Sequence, residues 1–252
     1  MPGRRAHTSL ILIFTLLSLI AALAAGCGGT ASNGGATSAR PTATRALPPV
    51  RYVALGASDA VGVGASDQNH TAYVPILISR LPKGASALNL GISGETLHEA
   101  LTAELPQAIA AQPTLVTVWL VGNDFKNCAP LAQYINDLNT LLTQLKTKTS
   151  ALVFVANAPD FSALPAIQQQ AAAGAFCNVS GSRAAIRALT VQWNIAIARA
   201  VAAHHDSLID LFSANIAANP QDISSDGFHP SDAGYLALAN AFWTAITARK
   251  AA

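Results

Sequence analysis

Apolar positions in this chain gather into short continuous runs, separated by longer stretches in which they recur with helical period. The runs lie at residues 50–55, 87–90, 115–121, 152–156 and 208–211. A short run without alternation predicts a strand buried on both faces, and strands that alternate with helices predict a parallel sheet covered on both sides. Helical period is clearest in Leu131, Tyr134, Ile135, Leu138, Leu142 and Leu145, and again in Ile186, Leu189, Trp193, Ile197 and Val201. Each set traces one stripe, which assigns Trp193 to the core. A last stripe, Leu236, Ala239, Trp243 and Ile246, predicts a helix that closes the domain.

The first 27 residues stand outside this pattern. Arg4 and Arg5 precede an apolar run at 10–25, and small residues follow it, which is the layout of a secretory signal peptide. The run falls short of the ~20 residues of a comfortable membrane span. It ends in Leu-Ala-Ala-Gly-Cys, which resembles the lipobox of bacterial lipoproteins, with Ala24 where Leu is commoner. The resemblance implies a lipid on Cys27; a signal cleaved nearby without lipid is the alternative. Residues 28–49 are rich in Gly, Ser, Thr, Ala and Pro and cannot bury enough apolar surface to offset their ordering entropy, so they read as a flexible linker. Residues 50–252 remain as one domain with a sizeable core. The expectation is an exported protein, anchored through Cys27 to the extracytoplasmic side of a membrane and monomeric.

Charge and cysteine content narrow the function. Arg4, Arg5, Arg40 and Arg45 are four of the fifteen basic residues, which leaves eleven against thirteen acidic ones, or −2, after residue 49. That balance excludes a basic footprint for nucleic acid. Cys128 and Cys177 form an even pair in a chain bound for an oxidising compartment; a disulfide and two separate thiols are both open. With only these two cysteines in the domain and no His-Glu-x-x-His, a structural zinc site has little support.

The unusual polar residues all follow predicted strands. Ser58 lies in GASDAVGVG after the first, Gly94 in NLGISGET after the second, Asn123 in VGNDF after the third, and Asp226 and His229 in SSDGFHPSDAGY after the fifth. The carboxyl edge of a parallel sheet is where its loops converge on ligands. A helix start explains part of the last stretch, since Pro230 suits a first helical position and Ser231 or Asp232 can cap. It does not explain Asp226 three residues before His229.

Nucleophilic catalysis does. A serine hydroxyl needs a base to take its proton, and the base needs a carboxylate to orient it and to stabilise its cation. Ser58, His229 and Asp226 supply those groups. The backbone N–H groups of Ser58 and Gly94 and the side-chain amide of Asn123 are the candidate donors to an oxyanion, with Gly94 expected to allow close backbone approach.

These segments resemble the four sequence blocks of the SGNH hydrolases, also called GDSL-type esterases and lipases: GAS at Ser58, Ser93-Gly94, Gly122-Asn123-Asp124, and Asp226 to Pro230 in DGFHP. The blocks occur in the family's order and span nearly the whole domain. The resemblance implies a three-layer α/β/α sandwich with a flavodoxin-like five-stranded parallel sheet. It implies a catalytic Ser58, Asp226 and His229, an oxyanion hole from Ser58, Gly94 and Asn123, and hydrolysis of ester or thioester bonds with no metal or organic cofactor. Substrates would be small-molecule, polysaccharide or lipid esters. The first block departs from the family's pattern, because Ala57 stands where the acid before the serine is usual and Asp59 stands where an aliphatic residue is.

Other readings are weaker. Gly56, Gly62 and Gly64 suggest a dinucleotide loop, but Asp67 occupies the next glycine's place. Neither Ser58 nor Ser93 completes a G-x-S-x-G. His204, His205 and Asp206 close a helix, where histidine favours the dipole. His98 reads as a surface residue, and Asp124 and Asp210 as structural ones. A non-catalytic surface lipoprotein that binds glycans or lipids is the competing class, although a binder has no need of nucleophile, base, acid and oxyanion donors together.

Overall fold

The computed structural model describes residues 49–251. In chain order the elements are β1 (Arg51–Gly56), α1 (Ser58–Val61), α2 (Tyr73–Ser79), β2 (Ser86–Asn89), α3 (Leu97–Ala103), α4 (Leu105–Ala110), β3 (Leu115–Trp119), α5 (Val121–Lys126), α6 (Leu131–Lys148) and β4 (Leu152–Ala156). There follow α7 (Pro165–Ala171), a hairpin of β5 (Ala175–Phe176) and β6 (Val179–Ser180), α8 (Arg183–Ala203), β7 (Ser207–Ile209) and α9 (Asp232–Ala251). The main sheet has five strands in the order β2-β1-β3-β4-β7, and every pairing is parallel. Helices α2 and α9 pack together, while α6 packs against α3, α4 and α8. The result is a three-layer α/β/α sandwich.

The order in which strands are added reverses between β1 and β3: β2 lies on one side of β1, and β3, β4 and β7 follow on the other. The loops leaving β1 and β3 therefore diverge and open a crevice between them. Strands β1, β3 and β4 form the buried centre, with Leu55, Val116 and Phe154 fully enclosed. Tyr73 packs on Trp119, Tyr235 and Phe242, and Trp119 packs edge-on against Phe242, with ring centroids 5.0–6.5 Å apart. Such contacts add to the area these rings bury.

Several expectations change. The apolar run at 115–121 crosses an element boundary: β3 ends at Trp119 and Val121 begins α5, so Asn123 sits on a short helix rather than a loop. Strand β2 is exposed along its length because it is the sheet's edge, and four residues are too few to show this in sequence. In α9 the buried stripe is Tyr235, Leu238, Ala239, Phe242 and Ile246, while Leu236 is 48% exposed. The alanine-rich helix offers little contrast between its faces, and the phase differs by one residue from the predicted stripe. Pro230 lies before α9 and bridges Ile223 instead of opening the helix. Cys27 and the segments 1–27 and 28–48 lie outside the described residues.

Candidate active site

The Asp226–His229 spacing has a local cause. One carboxylate oxygen of Asp226 accepts from the backbone N–H groups of Phe228 at 2.8 Å and His229 at 2.9 Å, and from the Ser224 hydroxyl at 2.9 Å. An aspartate that binds the N–H groups two and three residues onward builds its own turn. Gly227, at φ +74°, lies within that turn, and the Ser224 N–H closes the loop on the His229 carbonyl at 2.8 Å. The second carboxylate oxygen is then left facing His229 Nδ1 at 2.5 Å. Aspartate fixes both the backbone and the imidazole with one side chain.

The other imidazole nitrogen, Nε2, lies 2.8 Å from Ser58 Oγ, across 171 positions of sequence. Ser58 opens α1 directly after β1 and is 5% exposed. Burial raises the free energy of the Asp226 carboxylate, but the hydrogen bonds from His229, from the Phe228 and His229 N–H groups and from Ser224 outweigh it and hold the acid well below the usual carboxylate range. Asp226 is thus anionic across the neutral range. The Ser58–His229–Asp226 line can move a proton from hydroxyl to imidazole and stabilise the cation that results.

Gly94 and Asn123 come to the same edge. Asn123 is 8% exposed and donates one amide hydrogen to the Glu95 carbonyl at 2.8 Å, which orients the group and leaves the second hydrogen for a ligand. Gly94 adopts φ +86°, and nothing lies within 4 Å of a Cβ placed there. Glycine is therefore required by backbone conformation and not by close approach of neighbouring protein atoms. The Ser58 and Gly94 N–H groups make no hydrogen bond among the described residues. The loop after Gly94 is fixed by a capping box between Thr96 and Glu99. Asp124 completes it by accepting from the Leu97 N–H at 2.9 Å, although burial pushes this acid up to about 6.

Other residues shape the site with little signal in the sequence. Asp59 lines a small apolar cavity of about 30 Å³ together with Trp119, Phe161, Leu164, Phe228 and His229. Burial pushes its carboxyl up to about 6, partly offset by attraction to His229. Gly64 packs directly beneath the histidine loop, and the Tyr235 hydroxyl donates to the preceding Val63 carbonyl at 2.6 Å. Cys128 and Cys177 are joined by a disulfide, with Cα atoms 5.0 Å apart, and tie the end of α5 to the β5–β6 hairpin. His98 is exposed beside Asp137, His204 meets Asn139, and Asp210 holds Asn157 and Ser213, all away from Ser58. Among the described residues no group of three or more His, Cys, Asp or Glu side chains could hold a metal ion.

Known structures share the architecture. TesA is 21% identical, with a TM-score of 0.62 over 78% of this chain and 97% of its own. The psychrotrophic esterase EstA from Pseudoalteromonas sp. is 17% identical, with a TM-score of 0.62 over 81% and 100%. Axe2, an acetylxylan esterase from Geobacillus stearothermophilus, is 20% identical, with a TM-score of 0.61 over 78% and 94%. No curated protein sequence matches the chain. The sequence model of one family matches residues 54–237, a span that begins in β1, ends in α9 and takes in all four loops of the site. The chain belongs to the GDSL-like lipase/acylhydrolase family.

Proposed function

We propose that this protein is a serine esterase that hydrolyses carboxylic esters through an acyl-enzyme on Ser58. The observation that carries the reading is the unbroken line from Ser58 Oγ to His229 Nε2 at 2.8 Å and from His229 Nδ1 to Asp226 at 2.5 Å. In the first half-reaction Ser58 Oγ attacks the ester carbonyl while His229 takes the hydroxyl proton. Asp226 holds the imidazolium, and the Ser58 N–H, Gly94 N–H and Asn123 amide receive the oxyanion. The imidazolium then protonates the departing alcohol. Water repeats the sequence on the acyl-enzyme, giving up a proton to His229 and releasing the carboxylic acid with Ser58 restored.

The cavity beside His229, about 30 Å³ and walled by Trp119, Phe161, Leu164 and Phe228, favours a short acyl group. Short-chain p-nitrophenyl esters are the first substrates to try. Ser58→Ala should abolish fluorophosphonate labelling and lower turnover by several orders of magnitude with the fold intact. Near-wild-type hydrolysis by that variant would sink the mechanism and leave the non-catalytic binder.

The N-terminal pattern supports an activity outside the cytoplasm, on a domain tethered by lipid at Cys27. Cys27→Ser should move the protein from the membrane fraction to the soluble exported fraction, and recovery with the membrane as complete as wild type argues against the anchor.

A further inference from the structure

Two carboxyl groups that the ester chemistry does not use are buried behind the site. Glu104, at the junction of α3 and α4, is fully enclosed, and Glu95, next to Gly94, is 5% exposed. One Glu104 oxygen, Oε2, accepts from the Gly56 N–H at 2.9 Å, two residues before Ser58. Its other oxygen, Oε1, and Glu95 Oε2 are both buried and receive no donor. The two side chains lie within hydrogen-bonding reach of each other. Two facing acceptors with no donor between them are costly, and a single proton satisfies both.

We propose that Glu104 is held as the neutral acid and that its Oε1–H donates to the Glu95 carboxylate, making a buried strap that positions the nucleophile loop against the loop of the oxyanion donors. The strap runs from the Gly56 N–H through Glu104 to Glu95. From Glu95 it continues through the main chain to Gly94 and through the carbonyl to Asn123 Nδ2. Glu104 and Glu95 are positioning residues, and their catalytic consequence rests on the esterase reading above. No ionic partner replaces the proton: among the described residues no Lys, Arg or His side chain donates to either carboxyl. The titratable groups around Glu104 are Glu95, from the loop after β2, and Tyr73 from α2, whose hydroxyl is pushed well above its usual range chiefly by burial and so stays neutral beside it.

The strap has a pH dependence of definite sign. Burial first, and the bond to Glu95 next, hold Glu104 well above the usual carboxylate range, with the Gly56 N–H drawing it partly back. A carboxyl raised in the folded state contributes stability while protonated and loses it as pH rises through its folded value. Alkaline pH therefore places two like charges in an apolar space and loosens the oxyanion loops.

Infrared spectroscopy on the whole protein tests the strap without reference to activity. At about pH 8 the exposed carboxyls are ionised, and Asp59 and Asp124, pushed up to about 6, are mostly so. Wild type should retain the carbonyl band of a protonated carboxyl, and Glu104→Gln should lack it. Glutamine keeps an acceptor for Gly56, supplies a permanent donor to Glu95 and preserves the net charge of the pair. Glu104→Gln should therefore keep kcat within about threefold of wild type and lose the alkaline fall in Tm, whereas Glu104→Ala should lower kcat about tenfold or more with KM little changed. Absence of the band in wild type, the same alkaline fall in Glu104→Gln, or full kcat in Glu104→Ala would each overturn the proposal. A protonated band in a protein that hydrolyses no ester supports the strap and counts against the esterase reading instead.

Discussion

A methyl group on Gly64 would lie 2.6 Å from the carbonyl oxygen of Pro230 and 3.0 Å from the Cβ of His229. The loop after α1 thus forms the seat on which the histidine turn rests, and only a residue without a side chain leaves room. Gly64 also sits at φ +93°, which an L side chain rarely adopts. Gly64→Ala combines a backbone penalty with a clash against main-chain atoms that cannot swing aside. The expected loss is about 2 kcal/mol or more of stability, and displacement of the imidazole should slow Ser58 labelling about tenfold or more. Denaturant unfolding and labelling rates check the two effects separately. A variant with wild-type labelling would show that the seat does not position His229.

Asp59 offers the opposite trade. Its partly buried carboxyl is pushed up to about 6 from an ordinary 3.8, chiefly by burial, while attraction to His229 pulls it part of the way back. An acid raised in the folded state destabilises that state once ionised, so wild type loses stability as pH rises through the interval between those values. Asn cannot ionise. Asp59→Asn should be more stable than wild type by about 1–2 kcal/mol above pH 6, with the gap closing below about pH 4. Turnover should fall a few-fold, because the imidazolium formed on attack loses a nearby negative charge. Thermal unfolding across that pH range, set beside kcat, tests both halves; a constant stability gap at all pH values contradicts the assignment.

Much of this site is legible in the amino-acid sequence, and the reasons are physical. Parallel strands buried on both faces must be continuous apolar runs, and the loops that leave them must share one edge, so Ser58, Gly94, Asn123, Asp226 and His229 can be gathered from positions as far as 171 residues apart. The phase of α9 is not legible because alanine fits either face of a helix. Glu104 is hidden for a different reason. An acidic residue inside a helical stretch reads as a solvated face, and only tertiary packing reveals that this one is enclosed against Gly56 and Glu95. Gly64 carries the weak signal of a glycine pair, which points toward phosphate binding and not toward the underside of a histidine loop. The small β5–β6 hairpin leaves no readable pattern because two-residue strands have no period.

That hairpin is where the disulfide acts. Cys128 follows α5, which carries Asn123, and Cys177 sits between β5 and β6, 49 positions later. Phe176, beside Cys177, packs on Phe125 with ring centroids 5.6 Å apart, and Phe125 in turn packs on Phe161, a wall of the cavity, at 4.6 Å. The bridge therefore secures the outer wall of the pocket. Closing a loop of that length contributes about 4 kcal/mol by the chain-entropy account. The triad is tied by none of these contacts, and Asn123 is oriented by the Glu95 carbonyl and not by the hairpin. Reduction, or the paired change of Cys128 and Cys177 to Ser, should lower Tm by several degrees and raise KM for short esters, while fluorophosphonate labelling of Ser58 stays within about threefold. Peptide mass spectrometry on protein alkylated without reductant should find neither cysteine modified. Both thiols open to alkylation would rule out the bridge, and loss of labelling in step with Tm would mean that the hairpin supports the triad itself and not the pocket wall alone.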